Sequence, residues 1–132
     1  MAGATEQDGF TRSLAANGDL SAYQYFLVKR HTTEGQCVAV AATTDIPIGI
    51  LQNKPAATGR AAEVKVLGLS KAQVEATSDI SIGSKLGPNT DARLIIKSSN
   101  NDIVNAMAEQ AATTATGDVI TVTVFPPVWF GA

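Results

Sequence analysis

The sequence predicts a mainly β protein, a small β-barrel or β-sandwich of short strands with a flexible N-terminal arm and at most one short helix. The first observation is a series of short apolar segments, roughly 8–12 residues apart and separated by glycine-bearing turns, which is typical of small sandwiches and barrels. The second is the composition: 21 alanines and 14 threonines against 5% aromatic residues supply small side chains that fill thin layers between strands. The third is the length of 132 residues, which suits one domain.

We divide the chain into an arm over residues 1–19, a β domain over 20–125 and an apolar tail over 126–132. The arm is polar, rich in glycine and alanine, and shows no hydrophobic period. Such a segment buries too little apolar surface to order itself, so we expect it to be flexible in the free protein.

Within the β domain, the strands are predicted from runs of β-forming residues and from alternation of apolar and polar side chains. The clearest alternation is in 62–69 and in 119–125, where valines recur at every second position. Turns are predicted at 32–35, 53–60 and 81–91, which hold glycine, proline and asparagine. The predicted strands are 21–30, 37–42, 46–51, 62–69, 71–76, 92–97 and 119–125.

The segment 101–112 fits two structures. Ile103, Val104, Met107, Ala108 and Ala111 recur at helical spacing after asparagines that suit a helix N-cap, so local propensity favours a helix. An extended chain would instead align alternate apolar residues on one face of a strand.

Charge and cysteine content exclude several classes of protein. A net charge of −2 argues against a nucleic-acid binder that works through a basic face. Cys37 cannot form an internal disulfide, and one cysteine with one histidine argues against a zinc site. The start of the chain lacks the pattern of a signal peptide, and no apolar run is long enough to span a membrane. We therefore expect a soluble protein in a reducing compartment, without a metal or other cofactor.

The residues that could carry catalysis have simpler explanations. His31 lies beside Lys29 and Arg30 in a predicted turn, where a solvated histidine is the expected state. Cys37 opens an apolar strand, which favours a buried structural thiol. The aspartates fall at turns, where they bond to local backbone. We expect no enzymatic activity and no catalytic residues.

Aromatic side chains are confined to the two ends of the chain, and they are the candidates for partner contacts. Two consecutive prolines follow the last predicted strand, so the chain is expected to leave the sheet there. Trp129 either packs between subunits or covers the end of its own barrel. The candidate partner-binding residues are Phe10, Tyr23, Tyr25, Pro126, Pro127, Val128, Trp129 and Phe130.

Several central segments resemble the tailed-phage capsid cement (head decoration) family, over residues 22–124. Residues 44–51 (TDIPIGIL) followed by 62–68 (AEVKVLG) resemble that family's run D-x-P-I-G-V-L … G-x-x-V-x-V-x-G. Residues 80–86 (ISIGSKL) resemble I-x-x-G-D-x-L, and 106–122 resembles G-x-A-L-x-x-A … G-D-x-I-x-V. The chain departs from the family at Ser84, where an acidic residue is usual, and at Asn105, where a glycine is common. The arm and the tail fall outside the pattern.

The resemblance implies a β-rich protein on the outer surface of an assembled phage head, assembled in the host cytoplasm. It implies the major capsid protein as partner, a homo-oligomer with a trimer favoured, and no direct contact with nucleic acid or membrane. It also favours a strand over 103–112. The alternative function is a small β-barrel binding or carrier module, for which Ser70-Lys71 in a hairpin-like setting is the one candidate motif.

Overall fold

The computed structural model describes residues 9–75, 79–112 and 116–129, and within them it holds nine strands and no helix. The predicted mainly β fold is confirmed. The strands are β1 (Gly9–Ala16), β2 (Leu27–Arg30), β3 (Gln36–Ala39), β4 (Pro47–Leu51), β5 (Ala61–Glu75), β6 (Lys85–Pro88), β7 (Leu94–Ile96), β8 (Ile103–Ala108) and β9 (Thr116–Trp129).

The nine strands form one sheet that closes on itself twice through β5. Its order is β1-β3-β2-β4-β5-β7-β6-β8-β9, with additional pairings of β5 to β1 and to β9. The first five strands in this order close into one ring and the last five into another, and both rings contain β5. β1 pairs with β5 from Ala61 to Gly68, and β9 pairs with it from Gly68 to Glu75. The segments 62–69 and 71–76, predicted as two strands, therefore belong largely to one long strand.

Closure gives each of the nine described strands a hydrogen-bonded neighbour on both sides. Exposed strand edges are templates for unwanted pairing, and closing a sheet removes them. The described strands therefore offer no wholly unpaired edge for strand addition.

Each ring encloses an apolar core built of small and branched side chains, as the composition predicts. The core of the first ring consists of Ala16, Leu20, Val28, Cys37, Ile48, Leu51, Ala62 and Val64. The larger core, which lies mainly in the second ring, consists of Leu27, Val40, Ile50, Ala72, Val74, Ile80, Leu86, Ala92, Leu94, Ala106, Ala108, Ala112, Ile120, Val122 and Val124.

Residues 103–108 form strand β8, so local helix propensity is overruled here. β8 pairs with β6 on one side and β9 on the other. Five of its six residues are buried, which means that both faces are covered. A helix at this place would leave β6 and β9 without their shared neighbour, so tertiary pairing decides the structure.

The structure differs from the arm expected over residues 1–19. Gly9–Ala16 is strand β1, paired with β5 and, through Ala15 and Ala16, with β3. Its side chains are mostly exposed, but its backbone closes the first ring, and backbone pairing leaves no hydrophobic period in the sequence. Residues 1–8 of the expected arm lie outside the described residues.

The tail expected to leave the sheet at Pro126 also remains strand. β9 runs through both prolines to Trp129, and Val128 pairs with Val104. Phe125, Pro126 and Pro127 stand opposite the single residue Asn105, so the register shifts there. Proline is tolerated in such a bulge because no ladder hydrogen bond from its nitrogen is required. Phe130 lies outside the described residues.

Candidate functional site

An apolar groove lies at one end of the first ring, and residues near both ends of the described chain border it. Its volume is about 330 Å³, and it is bordered by parts of β1, β2, β4, β5 and β9. We call it the proline groove. Its lining residues are Phe10, Arg12, Arg30, Pro47, Ile48, Val66, Leu67, Pro126 and Pro127.

β1 enters the groove through a glycine that cannot be replaced without strain. Gly9 has a φ of 133°, and a Cβ atom there would overlap the carbonyl oxygen of Leu67. β1 can therefore start in close contact with β5. The register then shifts between Phe10 and Thr11, and the ring of Phe10 is 67% exposed beside Leu67.

Three of the four register shifts in the described sheet border the proline groove. At the β1–β5 shift Val66 has no partner, and at the β2–β4 shift Ile48 has none. At the β8–β9 shift the extra residues include Pro126 and Pro127. β-Bulges bend a strand and re-aim its side chains, and they are frequent next to functional sites. Four of the nine lining residues are thus supplied by irregularities of the sheet.

The floor of the groove belongs to the first core, and its rim is cationic. Ile48 is a member of that core and Val66 packs against it. Arg12 and Arg30 are exposed at the rim, and no carboxylate is among the lining residues. The groove therefore combines an apolar floor with two guanidinium groups.

Val128 and Trp129 extend the exposed apolar surface beyond the prolines along β9. They are 51% and 49% exposed, and neither belongs to a core cluster. Trp129 pairs with Ile103 at the start of β8. In this structure Trp129 thus lies half-exposed at the end of β9, outside both core clusters.

Tyr23 and Tyr25, the other two candidate partner residues, lie away from the proline groove. The ring of Tyr23 meets Phe26 edge to face at 5.3 Å between centroids, and it packs against both cores. Tyr25 packs against the larger core, and the ammonium of Lys71 lies 5.9 Å from its ring centre. Both rings contribute to packing in this structure.

A larger hollow of about 650 Å³ borders Tyr23 and Phe26 on another part of the surface. Its one basic side chain, Arg93, lies within 4 Å of the carboxylates of Glu75 and Asp91 and over the ring of Phe26. The cationic group in this hollow is thus already engaged within the chain. The proline groove is the stronger candidate because Arg12 and Arg30 have no ion pair or side-chain hydrogen bond with any described residue.

His31 and Cys37 occupy positions that agree with structural roles. His31 accepts a hydrogen bond through Nδ1 from the backbone N–H of Thr33, 3.0 Å away, which fixes a turn. Cys37 is fully buried in the first core, and burial raises the pKa of its thiol. Among the described residues, no three His, Cys, Asp or Glu side chains gather into a group that could hold a metal ion. The described part of the chain also contains no helix suited to cross a membrane.

Six of the nine lining residues were not predicted as site residues from the sequence: Arg12, Arg30, Pro47, Ile48, Val66 and Leu67. One signal was available: in the alternating segment 62–69, Leu67 shares its face with Glu63 and Lys65, an exposed position for a large apolar residue. It is 39% exposed in the structure. The arginines gave no such signal, because single exposed arginines are common.

The chain is similar in fold to a structural protein of a phage head. The crystal structure of the N base of head fiber gp8.5 in bacteriophage phi29 matches it with a TM-score of 0.57 and 22% sequence identity, over 87% of this chain and 92% of that chain. No protein-family model matches the chain, and a search of curated proteins returns no relative. At this identity the likeness shows a shared fold.

Proposed function

We propose that the protein is a capsid decoration (cement) protein, which binds the outer surface of an assembled phage head and stabilises it against the pressure of packaged DNA. The observation that carries the proposal is the proline groove, a side-chain surface built at three sheet irregularities and flanked by exposed aromatic residues. The likeness of fold to a phage head fiber base and the resemblance to the cement family support the same role.

The closed sheet suits a protein that must attach to others without aggregating. The nine strands of the described residues are paired on both sides, so recognition would depend on exposed side chains. Phe10 and Trp129 are the largest of these, and aromatic residues dominate the energetics of many interfaces. We propose the major capsid protein as partner and a homo-oligomer, a trimer by the family resemblance, as the bound form.

Cement action follows from mass action. A protein that binds the assembled shell more tightly than free subunits shifts the equilibrium towards the shell, by RT ln(1 + [L]/Kd) for each site. No catalytic step is required.

The proposal is tested on purified heads of the phage that encodes the chain. We expect many copies per head, since each site adds only the mass-action term. Heads lacking the protein should lose their DNA at lower temperature and regain stability when the protein is added. Absence of the chain from purified heads, or equal binding to unassembled capsid protein, would contradict the proposal.

The structure does not favour the alternative of a carrier module. Such a module presents its lysine at an exposed turn, whereas Lys71 lies in the interior of β5, opposite Thr121 of β9. The preceding Ser70 is buried and donates to the carbonyl of Lys71.

A further inference from the structure

We propose that the proline groove binds an extended segment of a partner protein in which acidic side chains flank an apolar or aromatic one. This inference rests on the proposed function, because it specifies the chemistry of the capsid segment that is recognised. The apolar side chain would enter the groove, and the carboxylates would meet Arg12 and Arg30.

The charge of the groove supports an acidic occupant. Among the described residues, neither Arg12 nor Arg30 has a side-chain hydrogen bond or an ion pair. This is notable in a chain with twelve acidic and ten basic residues, in which Lys29 and Arg93 do have acidic partners. Guanidinium groups bind carboxylates through paired hydrogen bonds, so two of them beside one groove favour an acidic ligand.

The shape of the groove supports a protein segment over a bulk anion. A volume of about 330 Å³ is at the lower end of the range for ligand sites, and its floor and walls are apolar. It therefore has room for one large side chain or two small ones. A free phosphate would satisfy the arginines and leave the apolar floor uncovered.

The walls of the groove are rigid, which lowers the cost of binding. Pro47, Pro126 and Pro127 each have a ring-fixed backbone angle, and all three lie within strands. Binding to a preformed surface avoids the ordering of loops, a cost that often limits the affinity for short peptides.

The test is a titration of the full chain with two synthetic peptides, Ac-Gly-Asp-Leu-Phe-Asp-Gly-NH2 and the same peptide with lysine in place of both aspartates, followed by NMR. We expect the acidic peptide to bind about tenfold more tightly, as two exposed ion pairs allow. The shifted resonances should be those of the groove-lining residues. Equal binding of the two peptides, or shifts elsewhere on the surface, would overturn the proposal.

Charge variants make the test specific. Arg12→Gln with Arg30→Gln should abolish the preference for the acidic peptide, whereas the control pair Lys54→Gln with Arg60→Gln removes the same charge outside the groove and should retain it. All four side chains are exposed, so unfolding temperatures should stay close to that of the unaltered protein.

Two further outcomes would assign the groove to another occupant. Groove-specific binding of a single-stranded thymidine oligomer as tightly as the acidic peptide would indicate a nucleic acid. Self-association that is lost with the arginines would indicate a second copy of this chain. The peptide assay contains no heads. A negative peptide result would therefore overturn the proposed ligand of the groove without bearing on the binding of heads. Failure to bind heads would overturn the proposed function without changing the peptide result.

Discussion

Phe10→Ala should weaken attachment to heads far more than it destabilises the protein. Phe10 is 67% exposed, and a phenylalanine offers about 200 Å² of surface, so about 130 Å² remains for a partner to bury. At about 25 cal/mol per Å², full burial of that area contributes about 3 kcal/mol, or about a hundredfold in Kd. The third that is already buried, about 65 Å², limits the loss of folding free energy to about 1.5 kcal/mol.

The assay pairs two measurements on the same variant: occupancy on purified heads and the midpoint of thermal unfolding of the free protein. Ile82→Ala is the matched control, because Ile82 is 71% exposed and lies outside the proline groove. We expect the control to keep its occupancy.

Full occupancy of heads by Phe10→Ala, with a midpoint lowered by several degrees, would show that Phe10 serves only its own fold. An equal loss of occupancy in Ile82→Ala would show that the effect of Phe10→Ala is not specific to the proline groove. Either result would refute the assignment of this surface.

Three further predictions concern the framework of the groove. Gly49→Ala should lower the free energy of unfolding by about 1–3 kcal/mol in denaturant titrations, because its Cβ would overlap the carbonyl oxygen of Lys65 on β5. Gly35→Ala is the control: it has a positive φ but open space around it, so it should lower the free energy of unfolding by less. Asn105→Val should raise the unfolding midpoint, since Asn105 is 1% exposed and neither polar atom of its side-chain amide has a hydrogen-bond partner among the described residues. A buried polar group without a partner lowers the free energy of unfolding by about 1–3 kcal/mol. A lowered midpoint would indicate that the amide is hydrogen-bonded. Burial raises the pKa of Asp45, but hydrogen bonds from Lys29, Ala41 and Ala42 outweigh it and hold that pKa below its ordinary value. The contribution of Asp45 to stability should therefore be complete above the ordinary pKa and be lost on acidification through the lowered pKa. Asp45→Asn should flatten the acid limb of the curve of stability against pH, and an unchanged limb would contradict this.

The strands of the β domain could be predicted because alternation records burial on one face. Segment 62–69 shows this pattern, and there Val64 is buried while Leu67 is exposed. The pattern is lost where both faces are covered, as in β8, and where neither is, as in much of β1. These are the segments over which local propensity and structure disagree.

The partner residues at the two chain ends could be proposed from composition, but their meeting point could not. Phe10 and Pro126 lie 116 positions apart in the sequence, and they border one groove only because β1 and β9 both pair with β5 at Gly68. That shared residue is set by closure of both rings. No local pattern in the sequence encodes it.

The irregularities of the sheet give the strongest physical reason to regard the groove as a site. An unpaired residue interrupts the ladder and costs stability, so a sheet built for stability alone would hold few bulges. Here Ile48, Val66 and the two prolines are the extra residues of three separate strand pairs, and all four line one surface. The bulges therefore gather apolar side chains at one end of the first core, against which Val66 packs, and this is the surface that we propose for attachment.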